Sequence, residues 1–100
     1  MKTSISTKYE VRSTKKFDKS LKKLYKQGKN IDKLIEVVEL LANGVVLDAK
    51  YKNHHLINDN VYINFFECHI EPDWLLIYRY SNDELILLLF ETGSHSDLFK

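Results

Sequence analysis

Four histidines, one aspartate and one tryptophan are the residues in this chain best suited to chemistry. His54 and His55 sit in the polar stretch KNHHLINDN, His69 in FFECHI, Asp73 and Trp74 directly after Pro72, and His95 in TGSHSDLF. Imidazole, with an unperturbed pKa of about 6.5, both takes and gives protons near neutrality. That suits a substrate that carries its own nucleophile. RNA is one: its ribose 2′-OH has to be deprotonated, a crowded phosphorane stabilised and the leaving oxygen protonated. Two proton-transfer groups, a cation and an aromatic surface for a base are enough. Each residue also has a plainer reading. Asp73 after Pro72 is a favoured turn residue, Trp74 fits a core position as well as a stacking platform, and Ser94 and Ser96 fit the shaping of a turn.

Other chemistries find less support. Cys68 and His69 are neighbours in an extended segment, so they face opposite ways and cannot share one ion. No C-x-x-C or H-x-x-x-H spacing occurs, and no metal is expected. TGSHS is not the G-x-S-x-G elbow of a serine nucleophile, and no glycine-rich loop is present to cradle a nucleotide phosphate. No cofactor is implied. Cys68 is the single cysteine, which rules out an internal disulfide and favours a cytoplasmic address. MKTSISTKYE has no apolar signal-peptide core, and no apolar run approaches the roughly 20 residues of a spanning helix, so no membrane association is expected.

The elements that must position these residues follow from periodicity. STKKFDKSLKKLYKQGKN reads as a helix with Phe17, Leu21, Leu24 and Tyr25 in one stripe, Ser13 as N-cap and Gly28 as the stop. NIDKLIEVVELLANG reads as a second helix, capped by Asn30 and ended by Gly44, with Ile31, Leu34, Ile35, Val38, Leu41 and Ala42 buried. The short link predicts a helical hairpin. Residues 45–60 read as irregular. VYINFFECHI, WLLIYRY and ELILLLFET then read as three antiparallel strands, divided by Glu71-Pro72-Asp73 and Ser81-Asn82-Asp83, and YEVRS adds a fourth strand before the first helix. The expected fold is one α+β domain over residues 1–100, in the order β-α-α-β-β-β, with 1–8 a flexible extension. The hairpin covers one sheet face and the other stays partly open. Phe66, Cys68 and Ile70 are expected toward the core, which turns Phe65, Glu67 and His69 to the wetter face.

Charge is unevenly spread. Residues 1–33 hold eleven Lys/Arg and three Asp/Glu, whereas 34–100 hold four and eleven. A near-neutral total therefore hides a basic front, which suits either a polyanion partner or a solvated lysine-rich helix.

ECHIEPDWLLIYRY, followed by a strand and TGSHSDLF, together with the KNHHL loop and the preceding hairpin, resembles the YafQ-type branch of the RelE/ParE superfamily over roughly residues 9–99. The resemblance implies the toxin of a type II toxin–antitoxin pair: a metal-independent endoribonuclease that cleaves mRNA in the ribosomal A site and is neutralised by a cognate antitoxin protein. It implies a helical hairpin on a twisted antiparallel sheet. It matches His54, His69, Asp73 and His95 to acid–base or orienting groups, and Trp74 and Phe99 to residues that contact the nucleotide or shape the site. Phe66 and Glu91 stand where relatives carry basic residues, leaving Lys50, Lys52 and Arg79 as the cations available to substrate. These two departures motivate an alternative, a module of the same fold that binds an antitoxin or ribosomal RNA without cleaving. A gyrase-directed toxin of the ParE branch would leave the histidines unexplained.

Overall fold

A computed structural model describes residues 7–56 and 64–99. The order is β1 (Glu10–Ser13), α1 (Lys15–Lys26), α2 (Ile31–Ala42), a 3-10 turn (Ala49–Tyr51), β2 (His54–His55), β3 (Phe66–Glu71), β4 (Trp74–Ser81), β5 (Ile86–Gly93) and α3 (His95–Leu98). The α+β class and the helical hairpin on a sheet are as the sequence implies. Residues 61–63 of the first expected meander strand, and most of the expected 1–8 extension, lie outside the described residues.

Thr14, not Ser13, caps α1. Ser13 is still in the β1 ladder, opposite Leu89, so the first residue past the ladder takes the cap. Thr14 Oγ1 accepts from the Phe17 N–H at 3.0 Å and donates to the Phe90 carbonyl at 2.6 Å, tying the helix start to β5. Phe17 and Leu24 are buried, but Tyr25 is 72% exposed. It lies about 80° around the helix from Phe17, at the margin of the apolar face. Ile35 is likewise 48% exposed, about 100° from Leu34, and Val37 takes the buried place expected of it. Gly28, at φ +86°, turns the chain between the helices. Asn30 caps α2 through its side-chain oxygen, as expected.

The sheet runs β1-β5-β4-β3-β2. Its meander is antiparallel, but β1 joins β5 in parallel, so the sheet is mixed rather than wholly antiparallel. A parallel neighbour needs a long connection, and everything between β1 and β5 supplies it. The 45–60 stretch expected to be irregular contains the 3-10 turn and the two-residue β2, paired with β3. On the helical side, Phe17, Leu24, Leu34, Val37 and Leu41 pack on Cys68, Trp74, Leu76, Tyr78, Leu87 and Leu89. The opposite face is less open than expected: Phe65, Leu75, Ile77 and Leu98 form a second, smaller cluster with Leu56 and Phe90. The ladder shifts register between His69 and Glu71, a bulge next to the histidine strand.

Candidate functional site

The turn at Pro72-Asp73 and the α3 turn meet at one end of β3, β4 and β5. Ser94 and Asp97 form a reciprocal capping box that starts α3, and Leu98 anchors it in the smaller cluster. This geometry delivers His95 to Asp73. One oxygen, Asp73 Oδ1, accepts both the His95 backbone N–H at 3.0 Å and its ring Nδ1 at 2.7 Å. A carboxylate only accepts, so Nδ1 carries the proton and Nε2 is left for a substrate. The His95 backbone N–H and, after it, the His95 ring hold the Asp73 carboxyl below the usual carboxylate range. The carboxylate thus stays charged at any pH near neutrality.

The His69 ring lies edge-on to that of His95, with centroids 5.7 Å apart. It shares a carboxylate with His54. Glu67 Oε1 is 3.2 Å from His54 Nε2 and 3.6 Å from His69 Nε2, the second an ion-pair distance rather than a hydrogen bond. Glu67 is only 5% exposed, and a buried carboxylate needs such partners. Lys52, in the left-handed region at φ +48°, turns the chain into β2. Its carbonyl faces His54 Nδ1 at 3.0 Å. Both nitrogens of His54 therefore face oxygen atoms, one from the main chain and one from Glu67.

His54, His69, Asp73 and His95 are thus brought together. Glu67 completes the group, and no role had been assigned to it. The signal was there: alternation puts it on the His69 face. What singles it out is the His54–Glu67 pairing of β2 with β3, which a two-residue strand does not announce. His55, one residue on, pairs with Phe66 and stacks on it at 4.8 Å, away from the site.

Trp74 is a correction. It is 1% exposed, on the helical side of β4, with Nε1 donating to Thr92 Oγ1 at 3.0 Å. It cannot stack on a base; it backs the turn that carries Asp73. Phe99 ends the α3 turn, its N–H on the His95 carbonyl at 2.8 Å, and its ring stays partly exposed. Arg79 is exposed on the histidine side of β4, with its guanidinium 5.2 Å from the Phe65 ring centre, farther along the strand from the histidines. Lys50 and Lys52 line a cavity of about 370 Å³ that opens beside His69. Phe66 packs on the helical face, stacked 5.7 Å from Tyr78, and buried Glu91 is paired with Lys16 at 3.2 Å. Among the described residues, no group of three or more His, Cys, Asp or Glu is arranged to hold a metal ion, and no helix is long and apolar enough to cross a membrane.

Known proteins bear the same arrangement of elements. The family model described as a bacterial toxin of type II toxin–antitoxin system, YafQ, matches residues 9–100. The mRNA interferase toxin YafQ of Escherichia coli (strain B / BL21-DE3) is 39% identical over 85 residues, covering 83% of this chain and 87% of that protein. The toxin in the E. coli DinJ-YafQ toxin-antitoxin complex superposes with a TM-score of 0.82 at 31% identity, over 93% of this chain and 99% of its own. A metal-bound toxin from Helicobacter pylori does so with 0.84 at 43% identity, over 91% and 99%. With a family model spanning nearly the whole chain and a relative of this identity over most of both lengths, the chain belongs to the YafQ family of bacterial type II toxin–antitoxin toxins.

Proposed function

We propose that the protein is the toxin of a toxin–antitoxin pair and an endoribonuclease that cleaves messenger RNA in the ribosomal A site. The single observation that carries this reading is the pair of histidines at 5.7 Å, one with its tautomer fixed by Asp73 and the other backed by Glu67 and His54. The pair spans the two proton transfers of 2′-OH transesterification. One imidazole takes the 2′-OH proton as the oxygen attacks phosphorus; the other returns a proton to the departing 5′-oxygen. The products are a 2′,3′-cyclic phosphate and a 5′-OH, and no metal is required for any transfer. Lys50 and Lys52 are the nearby cations for the phosphorane, where one well-placed charged hydrogen bond is worth roughly 2.7–4 kcal/mol.

The exposed lysines of α1 (Lys15, Lys16, Lys19, Lys22, Lys23 and Lys26) offer a face to ribosomal RNA. The partner that silences the enzyme is a cognate antitoxin, as DinJ accompanies the E. coli YafQ toxin in their complex. A protein acting on messages under translation works in the cytoplasm. The rival reading, a non-cleaving module, rests on Phe66, on Glu91 and on the weak net charge of +1. Phe66 faces the helices rather than the histidines, and Glu91 is met by Lys16, which supports the cleaving reading over this one.

The test is to add the protein, with EDTA, to ribosomes stalled on a defined message and to map the ends. A cut in the A-site codon that leaves a cyclic phosphate is expected. An intact message beside folded, ribosome-bound protein would leave only the binding module. A cut that appears only when metal replaces EDTA would overturn the metal-free mechanism.

A further inference from the structure

The cavity beside His69 is walled by α2, by the 3-10 turn and by the end of β3, the strand that carries His69. Lys33 and Glu36, three apart on α2, face it from one side; Lys50, Tyr51 and Lys52 of the 3-10 turn from another; Ile70, Glu71 and Pro72 close it at the end of β3. At about 370 Å³ it lies at the small end of ligand pockets. Its lining combines, beside His69, three lysines, two carboxylates, the Tyr51 ring and two apolar side chains. Glu71 is already engaged by Lys33 at 2.9 Å and Lys29 at 3.1 Å, whereas the Glu36 carboxylate has no partner among the described residues.

We infer that this cavity is a nucleotide subsite: it takes the RNA nucleotide next to the scissile phosphate and favours a base with an exocyclic amine. The inference rests on the RNA-cleaving reading for its substrate class. Lys50 and Lys52 meet the phosphate, and His69 at the mouth joins the subsite to the reacting bond. Tyr51, with Lys50 Nζ 5.2 Å from its ring centre, and Ile70 offer flat and apolar walls to the base. Glu36 selects. A carboxylate only accepts, so it pairs with the amino group of adenine, cytosine or guanine; the comparable donor of uracil, N3–H, lies between two carbonyl oxygens that repel the carboxylate. Base preference thereby becomes a property of α2, an element that carries no acid–base residue.

Adenosine 3′-monophosphate and uridine 3′-monophosphate, titrated into the full chain at low salt and followed by amide shifts, provide the test. The adenosine nucleotide is expected to move the signals of Lys33, Glu36, Tyr51 and Ile70, and to bind on the order of tenfold more tightly, the worth of one charged hydrogen bond shared with water. Glu36→Ala, on an exposed helix position, should erase the difference. Lys50→Ala with Lys52→Ala should weaken both nucleotides alike and flatten the salt dependence. Equal binding by the parent protein, or a preference that survives Glu36→Ala, overturns the subsite. Binding is read without cleavage, so the two readings fail separately. A preference with an uncut message upholds the subsite and sinks the nuclease; a cut message without a preference does the reverse.

Discussion

The two faces of β3 and β4 are made from alternate residues of the same segments, yet they follow different rules. On the helical face, Cys68, Trp74, Leu76 and Tyr78 are buried under α1 and α2, and their polar atoms are spent inside the molecule: Trp74 Nε1 on Thr92, and Tyr78 Oη on Asn53 at 2.6 Å. On the other face a smaller cluster supports Glu67 and His69, and the polar atoms converge on one end, near Asp73 and His95. The first face trades apolar area for stability. The second holds ionisable groups close together at a cost that the first face must cover. Substitutions should therefore separate into those that melt the protein and those that silence it.

His95→Ala presses hardest on that division. Loss of a proton-transfer group should slow cleavage by about 10²- to 10⁴-fold, while the melting temperature stays near that of the parent. A large drop in melting temperature would mean that the α3 turn is part of the frame and not an attachment to it. Trp74→Ala should do the opposite and cost about 3–5 kcal/mol in urea unfolding, as for other large buried aromatics. If it proves stable but inactive, the two faces are coupled through the Asp73 turn. Thr14→Ala, at the cap of a helix that carries no histidine, should cost about 1 kcal/mol and leave the cleavage rate per folded molecule unchanged.

A separate test lies in pH. Burial pushes the Cys68 thiol from 9.0 up to about 12, with the Glu67 charge adding to it, and the Tyr80 hydroxyl from 10.0 up to about 12. Both groups keep their protons longer in the folded state than in the unfolded one. Stability should hold below pH 9 and decline from there toward pH 12, a window set by the helical face alone. Asp73 behaves in the reverse sense. Its lowered pKa contributes stability above the ordinary aspartate value, lost only as acid carries the pH through the folded value. Unfolding curves followed from pH 8 to 11 should thus bend downward on the alkaline side.

Which features the sequence disclosed depended on whether a local pattern encoded them. The helices, the three long strands and the turn at Pro72-Asp73 follow from period and turn chemistry, and the alternation around His69 was correct. Trp74 shows the limit: residue type suggested a base-stacking role, while its position in β4, one residue before Leu75, decided which face it took. Ile35 and Tyr25 fell at the edges of stripes whose centres were right. Glu67 needed the pairing of β2 with β3, and the parallel placement of β1 needed contacts from the far end of the chain. Neither leaves a trace within a short window of sequence.

The placement of β1 has a kinetic consequence. Asp73 and His95 are 22 positions apart and are joined by the β4–β5 hairpin, whereas Thr14 meets Phe90 across 76 positions. Closing the longer loop costs more entropy before any contact repays it. The histidine group thus belongs to a low-contact-order meander, and the β1–β5 ladder to a high-contact-order closure. Substitutions in β1 should chiefly speed unfolding, and substitutions in the β4–β5 hairpin should slow folding. Along the folding route, the histidine group is expected to assemble before the β1–β5 ladder closes over the chain.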